Sequence, residues 1–194
     1  MSTRLLADNE PGDRIEYLAA TLSKLSPRLY SFSSWRWALG TIIGGFQQRG
    51  RRRWERSLDF ALAEDLYDVW RTRLTNVLQH AEQRLPGWRE VVDGKMSVPF
   101  FRQKFVLGSA AGLNAFAGAL HYAMRDPAAD LIRFLDRVSQ VDWRKTQARS
   151  SAKVFFEGTI VHGGKVISSR PAFEEAAKKL FRFASRVGKD VKSA

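Results

Sequence analysis

The chain has 194 residues, 44% of them hydrophobic, which suits one globular domain with a sizeable core and argues against global disorder. It contains no cysteine, which excludes a disulfide framework, a thiolate metal site and a cysteine nucleophile. With 32 Lys and Arg against 20 Asp and Glu, the net charge is +12 and the pI near 10.5. That balance points to a polyanion, most commonly nucleic acid, with an anionic membrane surface or an acidic protein as alternatives.

The opening segment, "MSTRLLADNEPGDR", has no apolar run followed by a cleavage site, so no signal peptide is expected and a cytoplasmic location is. Residues 1–12 are expected to be flexible. Asp13 to Leu25 reads as a short first helix, and Leu29 to Gly44 as a second, aromatic-rich one. "GGFQQRGRRR" is a glycine-bracketed basic loop. From Trp54 to Leu85, Leu58, Leu62, Leu66, Val69, Leu74, Val77, Leu78, Ala81 and Leu85 recur at helical spacing, and "PGW" ends the run.

Ser97 to Met124 reads as one helix in which Gly108, Ala111, Gly112, Ala115 and Ala119 leave a smooth face for close packing. Its uncharged part, Val106 to Met124, approaches membrane-span length. Its small residues, Asn114, His121 and basic flanks favour a buried central helix, with no membrane partner. Asp126-Pro127 is expected to start the next helix, with Asp as cap and Pro in the first turn. "KVFFEGTIV" and "KVISS" then flank His162-Gly163-Gly164, the turn chemistry of a β-hairpin within residues 153–169. "PAFEEAAKKLFRFASRV" closes as a helix with acids first and cations last. The expected fold is a mainly α, single-domain helical bundle over residues 1–194. It has five to seven helices, and its strands are confined to the hairpin.

The three histidines, His80, His121 and His162, are scattered, and no HExxH, GxxxxGK[ST] or GxSxG motif occurs. No catalytic residue, cofactor or metal ligand is therefore assigned; an enzyme, the weaker alternative, would use His121 or His162. The basic clusters carry more information. Arg49, Arg51, Arg52, Arg53 and Arg56 surround Trp54 where a loop enters a helix, and guanidinium forks and free helix amides both suit phosphate. Arg144, Lys145, Arg149 and Lys153 follow Trp143, which is expected to pack inward and pin them. Lys178, Lys179, Arg182, Arg186, Lys189 and Lys192 read as a solvated helix face. Trp35, Trp37, Trp70 and Trp88 fall mostly at core positions rather than on a stacking platform.

The order of segments is similar to that of the DndB-like family. "SPRLYSFSSWRWALGTIIGG" resembles that family's turn leading into a helix, and "ALAEDLYDVW…LPGW" its following helix ending in Pro-x-Trp. "FRQKFVLGSAAGLNAFAGAL" resembles its Ala/Gly-rich helix. "LDRVSQVDWRKTQARSSAKVFFEGTIVHGGKVISS" resembles its Asp-Trp motif, spacer, aromatic-x-Gly motif and short hairpin. The resemblance is to the C-terminal half of such proteins; the DGQHR stretch that names the family has no counterpart here. The aromatic-x-Gly position, usually Trp, is Phe156-Glu157-Gly158.

The family accompanies DNA phosphorothioate modification and is associated with DNA binding and transcriptional control of the modification operon. The resemblance thus implies a non-enzymatic DNA-binding accessory or regulatory protein of a DNA-modification or phage-defence system. Its expected partner is duplex DNA, gripped through phosphates with low sequence specificity, with other proteins of such a locus as further partners. The alternative is a protein-interaction subunit with an acidic partner.

Overall fold

The computed structural model describes residues 14–19, 21–46, 64–146 and 154–185. Among them are helices α1 (Phe32–Gly44), α2 (Glu64–Arg84), α3 (Trp88–Val92), α4 (Val98–Lys104), α5 (Ala110–Arg125), α6 (Leu131–Val138) and α7 (Arg170–Ser185). Two short pairings complete the set: β1 (Ile15–Glu16) with β2 (Tyr30–Ser31), parallel, and β3 (Val161–His162) with β4 (Lys165–Val166), antiparallel. The protein is mainly α, with one hydrophobic core and a small hairpin near the C-terminus.

Helix α5 is the axis. Every side chain from Ala111 to His121 is buried, because α1 packs on one side and α7 on another. Both neighbours run parallel to it. Tyr30 Oη donates to the Leu107 carbonyl at 2.8 Å, and farther along His121 Nδ1 lies 2.8 Å from the Ile42 carbonyl. On the other side, Gly118 sits beside Ala177, and the Tyr122 ring meets Phe181 one turn on. Gly118 permits this approach: a Cβ there would collide with the Phe46 ring and with Ala177. At 16 residues α5 spans about 24 Å, short of a bilayer core. No helix among the described residues is long and apolar enough to cross a membrane.

An aromatic chain threads this core. Tyr30, Trp88, Phe116 and Trp143 meet edge-on at 6.2–6.3 Å between centroids, and Trp143 then tilts against Phe156 at 4.8 Å. Trp143 is 1% exposed, and its Nε1 donates to the Val138 carbonyl at 3.1 Å. It packs inward as its flanking cations required.

Four expectations need correction. Residues 14–19 and 21–25 are not helical: Ile15 is drawn into a parallel pairing with Tyr30, and Leu18 and Leu25 stay exposed, so no amphipathic face is buried. Strands are therefore not confined to residues 153–169. The single helix from Ser97 to Met124 is two. Phe105 is extended and bridges to Arg144, then the Ser109 hydroxyl accepts from the Gly112 amide at 3.1 Å and restarts the helix. The next helix begins at Leu131, not Asp126: Asp130 caps the Ile132 and Arg133 amides, while Asp126 closes only a local turn onto Ala128.

The expected flexible residues 1–12 and the stretch from Trp54 to Ala63 lie outside the described residues. Within α2, Leu74, Val77, Leu78 and Ala81 are buried, whereas Val69 is 60% exposed. Trp35 and Trp88 are buried as core residues, but Trp37 is 49% exposed.

Candidate anion-binding face

Trp143 and the two cations behind it are fixed by main-chain pairing to the end of α4. The Val106 amide donates to the Trp143 carbonyl at 2.7 Å, and the Lys145 amide donates to the Lys104 carbonyl at 2.9 Å. This juxtaposes two sequence-distant basic pairs, Arg102/Lys104 and Arg144/Lys145. The hairpin adds a third element. Gly163 and Gly164 take the positive φ values of +56° and +75° that a tight antiparallel turn requires. Gly164 lies so close to Thr146 that a Cβ would meet the Thr146 methyl at 2.6 Å, which leaves the exposed Lys165 next in chain.

Within this face, Lys145 Nζ donates to the Arg102 carbonyl at 2.6 Å, and Arg102 Nη1 donates to the Ser23 carbonyl at 2.9 Å. Neutral carbonyls, not carboxylates, hold both groups. Burial pushes the Lys145 ammonium below its ordinary range, and the neighbouring Arg102 charge pushes it further the same way. Burial also lowers Arg102. Arg144 differs: it is exposed, and its guanidinium makes bonds of 2.9 and 3.0 Å to the two Asp142 oxygens, which raises its pKa. Lys104 is exposed, with its ammonium 5.9 Å from the centroid of the half-exposed Phe100 ring. The net result is a basic patch whose described carboxylates are Asp142, engaged by Arg144, and Glu157, which accepts from the Gly163 amide in the hairpin. An anion would relieve the repulsion.

Of the sequence-predicted residues, Arg144 and Lys145 are thus set beside the end of α4, Arg144 with its charge partly met by Asp142 and Lys145 half-buried. Arg49, Arg51, Arg52, Arg53 and Arg56, together with Arg149 and Lys153, lie outside the described residues. Arg102, Lys104 and Lys165 were not singled out from sequence; the only hint was a last helical turn rich in cations. The C-terminal cluster is partly structural. Lys179 donates to the Phe155 carbonyl and lies 5.0 Å from the Phe155 ring centroid, and Lys178 pairs with Glu174 at 2.9 Å.

The histidines have local partners. His121 is 5% exposed and bound to the Ile42 carbonyl, so burial and nearby Arg125 hold it below its ordinary pKa and neutral. His80 Nδ1 lies 2.8 Å from Arg84, and His162 Nε2 lies 3.0 Å from the Thr159 carbonyl. Comparison of the chain with protein-family models, curated proteins and solved structures finds no match.

Proposed function

We propose that the protein is a non-enzymatic DNA-binding accessory or regulatory subunit, cytoplasmic, that grips the duplex through its phosphates. The observation that carries this reading is the main-chain pairing that sets the basic segments Arg102/Lys104 and Arg144/Lys145 side by side, with the hairpin that bears Lys165 held against Thr146. The net charge of +12 adds a long-range field of the right sign. The segment order, which resembles that of DndB-like proteins, supports a role for such a subunit in a DNA-modification or phage-defence locus. Fluorescence anisotropy on unrelated duplexes is the test. Affinity should vary little with sequence and fall steeply with salt, since each neutralised phosphate releases condensed counterions. Absence of binding to any duplex at low salt overturns the reading.

A second reading, a protein-interaction subunit with an acidic partner, has one observation in its favour. Phe100 is 47% exposed beside Lys104, and an exposed apolar ring next to a cation suits a protein surface better than a phosphate track.

A further inference from the structure

One groove among the described residues shares no residue with the basic segments. It runs along α1, where Ser33, Trp37, Thr41 and Gly45 recur every four residues and so line one side of the helix. The N-terminal halves of α5 and α7 form the opposite wall. Its volume is about 360 Å³, within the range of small-molecule pockets. We propose that this groove binds a small aromatic acid that carries an N–H or O–H donor on its ring system.

Three features fix that chemistry independently. The walls present the rings of Trp37, Phe46 and Phe173, which suits a flat apolar body. Among the described lining residues Arg170 is the one charged side chain, and it stands at the start of α7. Because α1, α5 and α7 run parallel, the first turns of α5 and α7 both open here, at Ala110 and Arg170. Their dipoles and the guanidinium favour an anionic group and disfavour a cation.

The third feature is Asn114. It is only 8% exposed, and its Nδ2 donates to the Ala110 carbonyl at 2.8 Å. Its Oδ1 accepts no hydrogen bond among the described residues, on a residue that lines the groove. That oxygen is not among the closed-off polar atoms of the core, so it stays open to the groove and can accept from a ligand N–H or O–H. The other hydroxyls compete poorly for that role. Thr41 Oγ1 already donates to the Trp37 carbonyl, and the Ser33 and Ser34 hydroxyls each bond Ser31.

The experiment uses indole-3-acetate, which joins a flat ring, an N–H donor and a carboxylate, against its neutral analogue indole-3-acetamide. Both are titrated calorimetrically into the full chain. The acid should bind at least fivefold more tightly than the amide. Arg170→Gln should erase that preference while leaving amide affinity unchanged. Asn114→Leu should weaken both ligands about fivefold, the loss of one hydrogen bond. Ala110→Trp, which fills the groove from its rim, should abolish binding while the circular dichroism melt stays cooperative. The proposal is overturned if neither ligand binds at millimolar concentration, if acid and amide bind alike, or if folded Ala110→Trp keeps wild-type affinity. Should Asn114→Leu fail to fold, the acid–amide comparison and the Ala110→Trp variant still decide.

Discussion

Lys145 Nζ rests 2.6 Å from the carbonyl oxygen of Arg102, so one cation is fastened by the backbone of another. Burial holds both groups below their ordinary pKa values, and the Arg102 charge pushes Lys145 further the same way. The unfolded chain therefore binds the Lys145 proton more tightly than the folded one. This penalty is complete at neutral pH and fades as pH rises toward the ordinary value of 10.5. Urea melts of wild type and Lys145→Met across pH 8 to 10.5 should show wild type gaining stability relative to the variant as pH rises. A flat difference would mean that the Lys145 ammonium keeps its hydration in the folded chain and carries no such penalty.

The basic face and bulk charge can be separated by matched substitutions. Lys104→Gln, Arg144→Gln and Lys165→Gln together remove three exposed cations from the face. Arg89→Gln, Arg133→Gln and Lys178→Gln remove three elsewhere; Lys179 is unsuitable because it holds the Phe155 carbonyl. Anisotropy titrations should show the first set lowering the slope of log affinity against log salt by about one unit per lost phosphate contact. The second set should change it less. Equal losses would reduce the face to net charge. A third arm, Arg51, Arg52, Arg53 and Arg56 to Gln, should weaken binding on every sequence.

Trp143 is the hinge pin between core and face. Trp143→Ala removes a ring that touches Phe116 and Phe156 and leaves a cavity, costing about 3–5 kcal/mol in a urea unfolding experiment. Trp143→Phe should cost less, because much of the aromatic packing survives while the bond to the Val138 carbonyl and part of the ring volume are lost.

His121 couples stability to mild acid. Its folded pKa lies below the ordinary 6.5, so the unfolded state takes up the proton first and stability falls as pH drops through 6.5. His121→Gln should flatten the stability profile between about pH 5 and 7, a window set by the ordinary imidazole pKa. An unchanged slope would place the acid sensitivity elsewhere.

The sequence pattern made α1, α5, α7 and the Gly163-Gly164 turn legible, because apolar spacing and turn chemistry are local properties. The break at Phe105 was not, since the strand-like contact to Arg144 that stabilises it comes from 39 residues away. Asp126-Pro127 satisfied every local rule for a helix start, yet Asp130 serves as cap because Leu131, Phe134, Leu135 and Val138 then face the core and α7. Likewise Ile15 obeyed helical spacing until Tyr30 offered it a partner. At the basic face, Arg144 and Lys145 were visible as a run. Arg102 and Lys104 joined them only through main-chain pairing, which no run of letters encodes.

Parallel packing of α1 against α5 has a consequence for biosynthesis. Ile42 and the His121 that bonds its carbonyl are 79 positions apart, and translation proceeds at about 5–20 residues per second. The Trp35, Leu39 and Ile42 face of α1 therefore leaves the ribosome roughly 4–16 s before its permanent cover is made. Gly118, which seats Phe46 and Ala177, emerges within that same late interval, and Ala177 later still. Until then the nascent chain carries an uncovered apolar helix, the kind of surface that recruits a holdase chaperone. Slowing translation should lengthen that association, whereas a chain already released should show none of it.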